Sequence, residues 1–169
     1  MPHLILLRHA KSSWDRPELG DFDRPLAPRG ERAAPLVGRW IARKKWRPAL
    51  VLCSTARRAR ETLALVAAEL PEAPQVRYLK TLYLASPSRI TALLQRQPAE
   101  TASIMVVGHN PGMENLSLHL AAGESSAASQ SMAEKFPTAA LAHFKVPSWL
   151  ALGREGATLK HFIRPRDLE

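Results

Sequence analysis

The feature that most constrains this chain is a regular alternation of short apolar runs with stretches of helical periodicity. The runs are 3–8, 49–53 (ALVLC), 75–79 (QVRYL) and 103–108 (SIMVVG). Helical patterns follow them at about 28–45, 56–70, 87–96 and 111–121. Strands separated by helices join through crossovers, which align neighbouring strands parallel. A parallel sheet is buried on both faces. The pattern therefore predicts an α/β fold, a three-layer α/β/α sandwich with a mostly parallel sheet. Two later runs, 140–146 (ALAHFKV) and 158–163 (TLKHFI), have only a short connection, so one of them is expected to run antiparallel at an edge. Pro35 falls inside the first helical pattern and is expected to kink or shorten it. The small, polar stretch 123–134 (GESSAASQSMAE) reads as a mobile loop. A length of 169 residues suits one domain, 1–169, around one well-buried core.

Composition narrows the function classes. A single cysteine, Cys53, excludes an intramolecular disulfide and an all-cysteine metal site, and fits a reducing compartment. The apolar run before Arg8 is only four residues, too short for the core of a signal peptide. No stretch approaches the roughly 20 apolar residues that span a bilayer, so the chain reads as soluble and cytoplasmic. The net charge of +9 suits an anionic partner, whether nucleic acid, a membrane surface or a phosphorylated substrate. Solvated surface arginines are the ordinary alternative. The densest basic run, Arg43, Lys44, Lys45 and Arg47, lies at the end of a predicted helix, where cations favour the helix dipole anyway.

In an open α/β sheet, ligands bind outside the carboxyl ends of the strands. Arg8 and His9 occupy that position after the first run, and His109 occupies it after SIMVVG. Asn110 and Pro111 then supply a helix start. A third strand end, at Cys53, leads into an arginine-rich turn, STARRARET. Arg57, Arg58 and Arg60 do not share a helix face, so at most one or two can reach the crevice. Two histidines could bind a metal, but the fixed charge of Arg8 beside them would repel the ion, and no HExxH spacing is present. Arginine beside histidine suits an anion instead. A guanidinium binds phosphate oxygens in a bidentate fork, and a neutral imidazole can carry a phosphoryl group covalently. His3, His119, His143 and His161 are assigned to structure or surface, and Cys53 to the core.

LLRHAKSS, STARRARET and VGHNPG, together with DFDRPLAPRGERAA and FPTAAL, resemble in this order the histidine phosphatase superfamily. Within it the chain most resembles the short SixA-like phosphohistidine phosphatases. The resemblance covers nearly the whole chain and implies a phosphoglycerate mutase-like fold. It implies that His9 is the nucleophile that becomes phosphohistidine and that Arg8 holds the phosphoryl group from the same strand end. It selects Arg58 over Arg57 and Arg60, makes His109 a donor to a phosphoryl oxygen, and suggests Arg24 as a further phosphate contact. Thr138 is expected near the pocket. No metal or organic cofactor is implied. The implied partner is a phosphohistidine protein or a small phosphoester, with phosphate or another oxyanion in the site and neither nucleic acid nor membrane.

Two departures stand out. Ala10 replaces the glycine of Arg-His-Gly. Larger relatives place a carboxylate after the third strand to protonate the leaving oxygen, whereas TLYLASPSR (81–89) contains none. Asp15, Asp21 or Asp23 could substitute, and nothing in the sequence selects one. The expected mechanism is in-line attack by a neutral His9 whose pKa is lowered by surrounding cations, with Arg8, Arg58, Arg24 and protonated His109 neutralising the oxygens. The alternatives are a small-molecule or nucleotide phosphomonoesterase using the same residues, a module that binds phosphate without turnover, and a basic nucleic-acid-binding domain. Against the last, only four Trp, two Tyr and four Phe are spread along the chain, with no interleaved basic-aromatic platform.

Overall fold

The computed structural model describes residues 1–154 and 156–169. Its elements run β1 (His3–Arg8), α1 (Pro28–Arg43), β2 (Leu50–Ser54), α2 (Arg57–Ala67), β3 (Gln75–Leu79), α3 (Pro87–Gln95), β4 (Ser103–Gly108), α4 (Gly112–Leu120), α5 (Ala127–Glu134), β5 (Leu141–Lys145) and β6 (Thr158–Ile163). One six-stranded sheet has the order β3-β2-β4-β1-β5-β6. The first four strands are mutually parallel, and β5 pairs antiparallel with both β1 and β6. The antiparallel strand is therefore the second from the edge, and the edge strand β6 runs with β1. A short connection between adjacent strands dictates an antiparallel pair, but not which partner lies outside.

Strand periodicity builds the layers, because alternate side chains leave opposite faces. Leu4, Leu6, Leu52 and Val106 face Ile90 and Leu94 of α3 and Met113 and Leu116 of α4. Ile5, Leu7, Val51 and Val107 face Val37 and Ile41 of α1 and Leu63 and Val66 of α2. Each such side chain removed from water contributes about 1.5–3 kcal/mol before entropy is set against it. Helices on both faces account for the near-continuous apolar runs of β1, β2 and β4. By contrast β3, read as a buried strand from its sequence, lies at the sheet edge with Gln75, Arg77 and Tyr78 exposed.

α1 runs through Pro35, which neither ends nor appreciably shortens it. Two glycines let this helix pack closely. A Cβ on Gly30 would lie 2.2 Å from the Lys11 carbonyl oxygen, and one on Gly38 would lie 2.6 Å from that of Val66. The loop expected over 123–134 is mostly wrong, since α5 occupies Ala127–Glu134. Ser126 caps it by accepting from the Ser129 N–H at 3.1 Å, and the buried Met132 anchors it to the core.

Strand order fixes where chemistry can gather. The chain moves outward from β1 to β3, returns to β4, and inserts β4 between β2 and β1. The ends of β2, β4 and β1 thus lie side by side at a topological switch point, where open sheets leave a crevice.

Candidate active site

Those three strand ends enclose a pocket of about 240 Å³. Its lining includes Arg8 and His9 after β1, Arg58 from α2, His109 after β4, and Arg24 from the segment before α1. Thr138, from the segment preceding β5, lines it as well. The five residues singled out in the sequence are therefore brought together. His9, Arg24, Arg58 and His109 are each less than a tenth exposed.

His9 is held in one tautomer. Its Nδ1 lies 2.7 Å from the Ala10 carbonyl oxygen, which can only accept, so Nδ1 carries the proton. Nε2 is then the basic nitrogen, and the Arg58 Nε–H donates to it at 3.3 Å. Burial is the first cause of a pKa pushed down to about 3. The Ala10 carbonyl opposes the shift, while His109, Arg58 and Arg8 add to it. The neutral imidazole anticipated from neighbouring cations owes more to desolvation than to those cations. Ala10 is fixed in turn, donating its N–H to Thr62 Oγ1 at 2.9 Å. That hydroxyl donates to the Arg58 carbonyl at 2.7 Å, linking the β1 exit to α2.

Arg58 is 4% exposed and spans the pocket wall. Nη1 donates to the Asp21 carbonyl oxygen at 2.7 Å, and Nη2 to Asp21 Oδ2 at 3.0 Å. Tyr83 donates its hydroxyl to the same Oδ2 at 2.5 Å. Burial pushes the Asp21 carboxyl upward, but the hydrogen bonds from Tyr83 and Arg58 outweigh it and hold the pKa below its usual value. Asp21 is thus kept as an anion that orients Arg58, the opposite of what an acid donor requires. Arg57 and Arg60 turn away, Arg57 to Glu61 at 3.0 Å and Arg60 to the Thr55 carbonyl at 2.9 Å. Asp15 and Asp23 are exposed, and no carboxylate is among the residues lining the pocket.

Ser54 ends β2 and orients the second histidine. Its hydroxyl accepts the Ala56 N–H at 3.2 Å and lies 2.8 Å from His109 Nε2. If the hydroxyl proton goes to Nε2, the neutral ring carries its own proton on Nδ1. Nδ1 is buried without a protein partner, as are Arg8 Nε and Arg24 Nε. With that tautomer, three buried donors in one cationic pocket suit a tetrahedral oxyanion. The protonated His109 expected from the sequence belongs to the phosphoryl-bound site; in the protein alone its surroundings favour the neutral ring. Burial first, then Arg58 and Arg8, lower its pKa to about 4, with Asp21 opposing.

Arg24 is held by Ser12 and by Trp14, whose ring centroid lies 3.4 Å from the guanidinium carbon. Trp14 and Leu84 are 70% and 54% exposed at the pocket mouth. Neither was anticipated, although a tryptophan in the polar run KSSWD was a visible signal. Arg8 donates Nη1 to the Phe136 carbonyl at 3.0 Å, and Asn110 Nδ2 binds the same oxygen at 3.0 Å. These bonds tie the FPTAAL segment to the β1 and β4 exits.

The other histidines lie elsewhere. His143 stands in a row with His3 and His161, at 2.8 Å and 3.1 Å between ring nitrogens, and Trp46 packs on it. His119 is 3.1 Å from the Gly153 carbonyl. Cys53 is buried, which pushes its thiol up to about 12. Among the described residues, no group of three or more His, Cys, Asp or Glu is arranged to hold a metal ion. Among them, too, no helix is long and apolar enough to cross a membrane.

Comparison with known proteins places the chain in a family. Residues 4–82 match the family model described as the histidine phosphatase superfamily, branch 1. An uncharacterised protein of Mycobacterium tuberculosis is 38% identical over 164 residues, spanning 95% of this chain and 100% of its own. A candidate SixA phosphohistidine phosphatase of Nakamurella multipartitia is 32% identical, with a TM-score of 0.82 over 97% of this chain and 96% of that one. The protein histidine phosphatase SixA in complex with tungstate is 25% identical, with a TM-score of 0.81 over 99% of each chain. The sheet order, the strand-end pocket and these relatives lead to one conclusion: this chain is a phosphatase belonging to the histidine phosphatase superfamily.

Proposed function

We propose that this phosphatase hydrolyses phosphohistidine through a covalent phosphoryl intermediate on His9. The observation that carries the reading is a pocket rich in cations whose lining residues include no carboxylate. An alkoxide leaving group needs a proton in the transition state, which a positioned acid supplies for about 10²–10⁴-fold in rate. Phosphohistidine makes no such demand when its ring already carries a proton, because it then leaves as neutral imidazole.

In the first step the His9 Nε2 lone pair attacks phosphorus in line, and the substrate's P–N bond breaks with its electron pair going to the departing ring. Arg58 Nε–H, released from Nε2, turns to a phosphoryl oxygen. Arg8 Nε, Arg24 Nε and His109 Nδ1–H receive the remaining charge. The His9 ring, phosphorylated on Nε2 and protonated on Nδ1, is cationic, and the Ala10 carbonyl 2.7 Å away stabilises it. Water then attacks phosphorus, His9 leaves as the same neutral tautomer, and the water proton departs with inorganic phosphate. The dianion raises the proton affinity of His109, so a proton can enter with substrate. The tungstate held by a SixA relative is a tetrahedral oxyanion and supports such a pocket.

The test is the leaving group. Single-turnover phosphorylation of the enzyme should depend steeply on the leaving-group pKa across substituted phenyl phosphates, with phosphohistidine peptides fast and phosphoserine peptides slow. A flat dependence that becomes steep in Asp21→Asn would reveal a general acid and overturn the proposal.

A further inference from the structure

A second concavity, of about 590 Å³, adjoins the pocket and shares Lys11 and Thr138 with it. The first turns of α1, the segment before β5 and the residues after β6 form its walls. Lys11, Arg29, Arg32, Lys135 and Arg166 surround it, and none of these side chains has a hydrogen-bonding or ion-pair partner among the described residues. Elsewhere Arg16, Arg39, Arg47 and Arg57 each hold a glutamate within 3.5 Å. Arg43, Arg89, Arg96 and Arg154 are also unpaired among the described residues, so what distinguishes the groove is five such cations around one concavity. Arg29 and Arg32 sit near the start of α1, where the helix dipole disfavours cations, and their i,i+3 spacing sets like charges side by side. Local stability does not explain that placement.

We infer that this groove binds acidic polypeptide flanking the phosphohistidine of a protein substrate, an inference that rests on the phosphohistidine reading. Ala33, Leu36, Pro137 and Pro165 supply apolar surface between the cations, which suits a peptide with mixed acidic and apolar side chains. No aromatic residue lines the groove, so it offers no stacking platform to nucleic-acid bases. Because Lys11 and Thr138 border both cavities, a chain that places its phosphohistidine in the pocket can lay neighbouring residues in the groove. Glu134 and Glu169 also line it and set a second criterion, since they repel carboxylates that bind out of register.

The experiment uses three phosphohistidine peptides of equal length, with acidic, neutral or basic flanks, and p-nitrophenyl phosphate, all at 0.15 M salt. Each is assayed with the wild type and with Arg29→Glu/Arg32→Glu, two exposed changes that suit the N-terminal end of α1. The wild type should favour the acidic peptide on the order of tenfold in KM, with kcat little changed. The double variant should lose the preference while keeping its melting temperature and its rate on p-nitrophenyl phosphate. Equal KM values for the three peptides in the wild type, or a preference that survives in the variant, would overturn the inference. So would tighter binding of a single-stranded oligonucleotide than of the acidic peptide. Turnover of p-nitrophenyl phosphate with none of the three peptides would instead defeat the phosphohistidine reading. Fluorescence anisotropy of the unphosphorylated acidic peptide then decides the groove separately. Binding lost in the variant sustains an acidic-peptide groove, and no binding to wild type refutes it.

Discussion

Replacing Arg58 by alanine removes three contacts at once: Nε to His9, and Nη1 and Nη2 to Asp21. The side chain is 4% exposed, so its charge acts on a phosphoryl group with little screening by water. Loss of one preorganised donor of this kind costs about 3–4 kcal/mol of transition-state stabilisation, or roughly 10²–10³ in kcat. Arg57 instead forms a half-exposed i,i+4 pair with Glu61, worth only about 0.3–0.5 kcal/mol. Arg60 is exposed and binds a backbone carbonyl. Arg57→Ala and Arg60→Ala should therefore retain nearly full activity. Arg58→Lys should recover little, because an ammonium cannot reach His9 and Asp21 with one planar fork. Steady-state hydrolysis of p-nitrophenyl phosphate measures all four variants, with circular dichroism to verify folding. Equal losses at 57, 58 and 60 would refute the reasoning, and full rescue by lysine would show that only net charge counts.

Acid should destabilise the fold through its buried histidines. His9, His109 and His143 are held near 3, 4 and 3, whereas unfolded histidine titrates near 6.5, so the unfolded chain binds more protons between those values. Stability is then fully present above about pH 6.5 and lost as pH falls toward 4, by up to about 1.4 kcal/mol per pH unit for each group. Thermal melts from pH 7 to 4.5 should show the decline, and a flat Tm would contradict it. Gly30→Ala should cost about 1–3 kcal/mol, because its Cβ meets the Lys11 carbonyl at 2.2 Å; a denaturant midpoint unchanged from wild type would show that the contact relaxes. Turnover should persist in excess EDTA, and inhibition that zinc or magnesium restores would reinstate a metal.

Much of this architecture was legible because strand and helix periods differ and because apolar side chains on both faces mark a buried parallel strand. The strand-end positions of Arg8, His9 and His109 followed from the same pattern. α5 was not legible, since Ser, Ala and Gln carry no apolar stripe and only Ser129 and Met132 of the helix are buried. The inward place of β5 is a property of the sheet order, which local patterns do not encode. Three aspartates between β1 and α1 looked equivalent, and only the fold sets Asp21 against Arg58 and Tyr83. The resting charge of His109 was hidden for a related reason. Sequence displays neighbouring cations, but burial, the larger influence, comes from packing.

The central claim is a phosphoryl group carried on His9, and the most direct measurement is to trap it. Rapid mixing of enzyme with a radiolabelled phosphohistidine peptide, quenched within milliseconds, should give a labelled protein that is acid-labile and base-stable. Mass spectrometry should place the phosphoryl group on His9, and His9→Ala should neither label nor turn over. Label on another residue, or substantial turnover by His9→Ala, would contradict the account.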